Sequence, residues 1–454
     1  MKRKLLAVLL TGMLVVSSLA LVACRNDDGG AGEAPAVVDD TDDPDPANGD
    51  DPDPAPVDVG DRVEIEFWNG FTGADGQQME VIVQDFNNSQ DEIHVTMQLI
   101  PWGEYWESIT VGVQTGIMPH VGAIHFDDLP KFAYLDVIIP ADNIVDMMGL
   151  TAADFPDGYW EASLYEGHIW GIPLDFHPVV MFYNRAILEE AGIDVPTTGD
   201  EFIAAATALT GDGQWGVAIP VDSNGFMRMV FSRTLLHQFG GHLVNPDGLT
   251  YAFNSPEGVQ ALQLLVDFIH YYEISPPEVD SAWEMFTAGL TAFHFDGPWN
   301  ILGFDANEDL DYGIASFPQF GPNYAVWAGS HQLSLMNVRD ATPEETHAAE
   351  VFIAYVIENS VEWARAGQVP ALNRARYSEE FLAMERLQPI AAMFDYMVLC
   401  EYPSPWWGDG FDYIFSDELV GALLGTMGVQ EALDNSVEFV NAMTAELAAR
   451  FGRN

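Results

Sequence analysis

The chain has 454 residues, 70 of them acidic against 16 basic, for a formal net charge of −54, and 48% of it is hydrophobic. A field of that sign repels nucleic acid and anionic lipid, which makes both poor partners. The length suits two or three domains, the apolar content is ample for a core, and two cysteines, Cys24 and Cys400, rule out a disulfide framework.

At the amino end Lys2-Arg3-Lys4 precede an apolar run from Leu5 to about Ala20, then Leu21-Val22-Ala23-Cys24. The run is shorter than the roughly 20 residues of a spanning helix and ends in small residues, as a cleavable signal does. Its last four residues resemble the bacterial lipobox, which implies a signal peptide at 1–23 and lipidation of Cys24. Removal of the three signal cations leaves 13 bases against 70 acids. A diacylglyceryl group supplies the two chains that durable anchoring takes, so the protein is expected to be tethered to the outer face of the membrane. Residues 24–60 are rich in Asp, Pro, Gly and Ala and lack aromatics, as in Asp42-Asp43-Pro44-Asp45-Pro46. Such a stretch cannot bury enough apolar surface to order itself, and reads as an extended spacer. It lacks the fixed ligand spacing of an EF-hand calcium loop.

Folded sequence begins at Arg62, where Val63 to Trp68 alternate in the manner of a strand. The loop Asn69 to Gly76 leads into a helix with Met79, Ile82, Val83 and Phe86 on one face. Ile93 to Met97 make a second strand and Val121 to Ile124 a third, with Asp127 just past its carboxyl end. This order indicates an α/β fold, in which ligands bind in the crevice outside the carboxyl ends of strands. Trp68 and Asp127 are therefore candidate contacts, although a single Trp is as readily core. Tyr165 to Trp170 has the look of a hairpin.

The stretch Gly171 to Glu190 organises the rest. Ile172-Pro173-Leu174 is apolar and extended, Val179 to Phe182 reads as a buried strand, and Ala186-Ile187-Leu188 starts a helix. Asp175 and His177 lie between the two apolar runs, where they could line a crevice or merely cap strand ends. Pro173-Leu174-Asp175, Val180 to Asn184, Leu188 and Glu190 resemble the signature of family 1 extracellular solute-binding proteins of ABC importers, the maltodextrin-binding type. The resemblance covers essentially Arg62 to Phe451. It implies a two-lobe periplasmic-binding-protein-like fold (type II), with lobe 1 at 61–174 and 326–387 and lobe 2 at 175–325 and 388–454. It also implies that the stretch is the first crossover between the lobes.

Further along, Phe202 to Leu209 is a compact helix, and Met229 to Phe239 is apolar enough to be buried. Ser255-Pro256-Glu257 starts the helix Val259 to Tyr271 with a capping hydroxyl and a first-turn proline. Ala292 to Trp299 reads as a strand and a sharp turn, and its Gly297-Pro298-Trp299 matches a family triplet whose Trp stacks on sugar. Val326 to His331 is a candidate second crossover. Thr342-Pro343-Glu344-Glu345 is a capping box opening a helix to about Ile357. Gly367 to Pro370 breaks the chain as in the family. The aromatics of Tyr402 to Trp407 match the family's closing segment, where Trp406 and Trp407 compete for one stacking role. Helices are expected from Glu418 to about Leu424 and from Val429 to Phe451.

A neutral sugar offers hydroxyls that want hydrogen bonds and C–H faces that want aromatic surface. The candidate set Trp68, Asp127, Asp175, His177, Trp299, Trp327, His331, Trp406 and Trp407 supplies both. None of these segments carries Lys or Arg, which argues against anionic ligands. The maltodextrin-binding type has a carboxylate at the position of His177, so a different sugar is expected here. No zinc pattern, Walker loop or nucleophile elbow appears, and the reading calls for no cofactor, no metal and no catalysis. The expected partners are a small carbohydrate and the transmembrane subunits of an ABC permease, with the receptor a monomer. Two rivals remain: the same fold binding a polyamine or quaternary amine, which acids and tryptophans also suit, and a surface-anchored glycoside hydrolase, which needs a paired set of carboxylates.

Overall fold

The computed structural model describes residues 62–221, 224–399 and 417–450. Its strands begin with β1 (Val63–Asn69), β2 (Ile93–Leu99), β3 (Val121–His125) and β4 (Ile138–Ile139), followed by the hairpin β5 (Leu164–Tyr165) and β6 (His168–Ile169). The crossover stretch forms β7 (Ile172–Pro173), β8 (Asp175–Pro178) and β9 (Val180–Asn184), and then come β10 (Trp215–Val217), β11 (Thr291–Asp296) and β12 (Tyr312–Ala315). The last are β13 (Val326–Gly329), β14 (His331–Met336), β15 (Val369–Pro370) and β16 (Met397–Val398).

The alternation of Val63 to Trp68 has its physical outcome in β1, which pairs in parallel with β2 and β3. β14 joins β3 antiparallel and carries β4 and β7, completing a six-stranded sheet in the order β2-β1-β3-β14-β4. The helix Ala74–Ser89 covers it, and Met79, Ile82, Val83 and Phe86 are all buried, as their spacing requires. A second, four-stranded sheet has the order β10-β11-β9-β12. Val180, Met181 and Phe182 of β9 are fully buried at its centre, with both neighbours antiparallel. Between these sheets lies a small third one, β15-β8-β13-β16, built from both crossover stretches. Asp175 and His177 therefore sit within a strand rather than in a loop between strands.

Helix starts follow the local chemistry. The Ser255 hydroxyl accepts from Gly258 N at the head of Pro256–His270. Thr342 and Glu345 close a full capping box on Pro343–Glu358. Helices at Asp417–Leu423 and Val429–Arg450 end the described chain. The apolar run after Met227 takes an unexpected form: Met227–Leu235 is a nine-residue π-helix. Its wider turn is visible in the Thr234 hydroxyl, which donates to the carbonyl of Met229 five residues back at 2.6 Å. Among the described residues no helix is long and apolar enough to cross a membrane.

Candidate functional site

A cavity of about 340 Å³ opens between the two main sheets, with the third as its floor. Its wall draws Gly70, Asp75 and Trp102 from the first-sheet side, Arg228, Met229 and Trp299 from the second, and His177, Trp327 and His331 from the crossovers. Five expected contacts meet here: Asp127, His177, Trp299, Trp327 and His331.

The indoles form two aromatic walls with imidazoles between them. Trp299 sits in a 3-10 turn after β11 and folds back over Gly297, where a Cβ would stand 2.0 Å from its ring. Only glycine permits that approach. Trp299 and Trp327 meet edge to face at 6.4 Å, and each lies within 6 Å of the His177 ring, at 5.6 and 5.8 Å. On the opposite side Trp102 stacks parallel to His331 at 5.8 Å and lies 4.4 Å from His125. Edge-to-face and offset geometries of this kind are the favourable ones.

Beneath the imidazoles Asp175 is fully buried and accepts four hydrogen bonds. His331 donates from its backbone N at 3.0 Å and from Nδ1 at 2.8 Å, His177 from Nδ1 at 3.1 Å, and Trp363 from Nε1 at 2.6 Å. Burial alone would raise this carboxyl, but the neighbouring His331 and the imidazole hydrogen bonds outweigh it and hold Asp175 well below the usual carboxylate range. Burial lowers His177, reinforced by His331 and opposed by Asp175. Burial, His331 and Arg228 hold His125 well below the ordinary histidine value. Asp75 is raised by burial, with His331 opposing. Asp175, His177 and His331 are metal-ligating types with donor atoms within 4.8 Å of one another, yet here the carboxylate is saturated by N–H donors from the protein itself.

The π-helix delivers two guanidinium groups. Arg228 lines the cavity, and Arg233 donates from Nη2 to Asp127 Oδ2 at 2.9 Å in a pair almost wholly withdrawn from solvent. This corrects the expectation that the site is free of Arg: no candidate segment carried one, but an adjacent element brings them in. Trp68 is also corrected. Its side chain points away from the cavity, into a separate cluster with Ile100, Tyr105 and Ile109, and its Nε1 donates to Glu66 at 3.1 Å. Asp175 supports the wall rather than forming it. Trp406, Trp407 and Cys24 lie outside the described residues. Sequence reasoning passed over Asp75, Trp102, His125, Arg228 and Gln368. Of these, His125 was findable, because it ends β3 two residues before Asp127. Wall atoms buried without a hydrogen-bond partner include Trp327 Nε1, Asp127 Oδ1 and both ends of the Gln368 amide.

Two main sheets joined through paired crossovers, with a cavity of aromatic and polar groups between them, define a two-lobe binding-protein fold. A Listeria monocytogenes ABC substrate-binding protein solved with cycloalternan superposes with a TM-score of 0.73 at 22% identity, covering 85% of this chain and 100% of that one. The GacH receptor of Streptomyces glaucescens, solved unliganded and with acarbose, gives 0.75 at 18% identity, covering 85% and 99%. Over residues 81–382 the sequence matches the family described as bacterial extracellular solute-binding protein, and the chain belongs to that family. Among curated relatives, a maltotriose-binding protein of Pyrococcus abyssi is 20% identical over 56% of this chain and 53% of its own length. An arabinooligosaccharide-binding protein of Halalkalibacterium halodurans is 24% identical over 48% of each. The chain thus spans about half the length of the curated relatives it matches.

Proposed function

We propose that this protein is the substrate-binding lipoprotein of an ABC importer, capturing a neutral sugar or oligosaccharide outside the cell and delivering it to a membrane permease. The observation that carries the reading is the cavity: three indoles, Trp102, Trp299 and Trp327, flank imidazoles, carboxylates and an amide in one cleft. Indole faces suit the C–H faces of a pyranose, and the polar groups between them suit its hydroxyls. Of the charged groups at the wall, Asp127 is neutralised by Arg233 behind it, which leaves Asp75 and Arg228, one of each sign, and favours an uncharged ligand. Arg228 also tells against a polyamine or quaternary amine, because a cation would meet a guanidinium. The maltotriose- and arabinooligosaccharide-binding relatives, and the neighbours solved with cycloalternan and acarbose, support the carbohydrate class.

Lobes at 61–174 with 326–387 and at 175–325 with 388–454 would close by bending at the crossovers. Ligand drives closure only through greater affinity for the closed state, which contacts from both lobes provide. The closed receptor, a monomer held at the membrane by lipidated Cys24, then docks on the permease. It performs no catalysis in this reading: of the two carboxylates that line the cavity, Asp75 and Asp127, the second is held in an ion pair with Arg233, which leaves Asp75 without the free partner carboxylate that a glycosidase uses. Incubating the protein with xylo-, malto- and galacto-oligosaccharides tests this. Binding with the sugars recovered intact is the expected result; shortened sugars would establish the hydrolase instead.

A further inference from the structure

Asp175 does not line the cavity, yet it governs two side chains that do. Its carboxylate receives Nδ1 of His177 at 3.1 Å and Nδ1 of His331 at 2.8 Å. The backbone N–H of His331 and the indole N–H of Trp363 complete four donors around its two oxygens. A carboxylate in that setting only accepts, so each Nδ1 carries a proton. In a neutral imidazole with Nδ1 protonated, Nε2 is a bare acceptor. The two rings lie side by side, 4.4 Å between centres and 33° between planes. His177 Nε2 faces the space in front of Gly329, a wall residue, since a Cβ there would stand 2.2 Å from it.

We propose that Asp175 is a positioning residue that fixes His177 and His331 as a pair of Nε2 acceptors, so that the site selects a ligand offering two adjacent hydroxyl donors, such as the vicinal diol of a sugar ring. The inference rests on the carbohydrate reading and sharpens it. A single carboxylate sets both tautomers at once, much as carboxylates orient histidine rings in metal sites. A ligand that only accepts at this spot meets two lone pairs and is rejected, because buried polar groups left unpaired are costly. Protonation of either ring turns an acceptor into a donor and sets a charge against its neighbour. The charged and titratable groups around the pair are Asp175 below, Asp75 from the loop after β1, His125 from β3 and Arg228 from the π-helix. Phe71, Trp102, Trp299 and Trp327 are uncharged rings packed on it, and Trp363 bonds to Asp175 beneath.

Ring-nitrogen NMR of the full-length, ligand-free protein at pH 7.5 reads the tautomers without any ligand. The expected spectrum has Nδ1 protonated and Nε2 bare in both rings; Nε2 protonated with Nδ1 bare in either ring overturns the proposal. Calorimetry with the tightest neutral sugar of a panel follows, against its analogue deoxygenated at one of two adjacent hydroxyls. Asp175→Asn offers one acceptor and one donor where two acceptors stood, so one ring must reverse. A tenfold or greater loss for the diol, with a much smaller loss for the deoxy analogue, is expected. Equal losses for both, or an unchanged affinity in folded Asp175→Asn, overturn the proposal. Correct tautomers with no sugar bound support the acceptor pair and overturn the carbohydrate reading, so the two failures are separable.

Discussion

Replacing Gly329 by alanine tests the wall with a single methyl group. The added Cβ would stand 2.2 Å from His177 Nε2 and 2.8 Å from Cδ2 of the same ring. Comfortable contact begins near 3.5 Å, so the imidazole must retreat by roughly 1.3 Å. It cannot do so freely, because its Nδ1 is held by Asp175 at 3.1 Å in a strand pair that sets His177 opposite Gly329. Breaking a hydrogen bond to a charged acceptor costs about 1.5–3 kcal/mol, which is roughly 10- to 150-fold in affinity if the ligand needs the ring where it is. Overpacking of this size costs about 1–3 kcal/mol of stability, within the 5–15 kcal/mol typical of a domain, so the variant should fold. Titration calorimetry with the best sugar found for the wild type provides the measurement. Affinity within threefold of wild type in a folded Gly329→Ala protein would refute the placement of His177 at the binding surface.

Other outcomes follow from the same geometry. Trp299→Ala should weaken sugar binding by about 1–3 kcal/mol while leaving the far-ultraviolet circular dichroism unchanged, since this half-buried indole lines the cavity; unaltered affinity would count against the aromatic wall. Thr342→Ala removes the hydroxyl that caps Pro343–Glu358 and should cost about 1 kcal/mol in urea unfolding, with no change in ligand affinity. The folded state holds His125 and His177 below their ordinary value, so the unfolded chain binds more protons once the pH falls under about 6.5. Their contribution is complete above that pH and is lost progressively as the pH drops toward the folded values. The urea midpoint should therefore be lower at pH 5.5 than at pH 7.5, and an equal or higher midpoint would contradict the buried neutral imidazoles.

Much of the frame was legible because local chemistry decided it. The capping box at Thr342, the proline start at Pro256 and the alternation of Val63 to Trp68 each specify one structure with little competition. The crossover stretch yielded His177 because a polar residue inside an apolar run must be satisfied by something specific. Trp68 failed for a reason of facing: consecutive strand residues point to opposite sides, so Phe67 packs on Phe352 while Trp68 turns toward Tyr105 and Ile109. Position at a strand end says nothing about which side a ring takes. Arg228 and Arg233 were invisible because a π-helix has a turn of its own, and nothing in Met227–Leu235 distinguishes it from an ordinary buried helix. The role of Asp175 required long-range partners, His331 and Trp363, which are 156 and 188 residues away in sequence.

The most direct measurement is a calorimetric titration of the purified mature protein with neutral oligosaccharides and, in parallel, with spermidine. Saturable one-to-one heat with at least one sugar, none with the amine, and sugar recovered intact afterwards is the result expected. Heat with spermidine alone, or with no sugar at all, would contradict the claim that this cleft holds an uncharged carbohydrate.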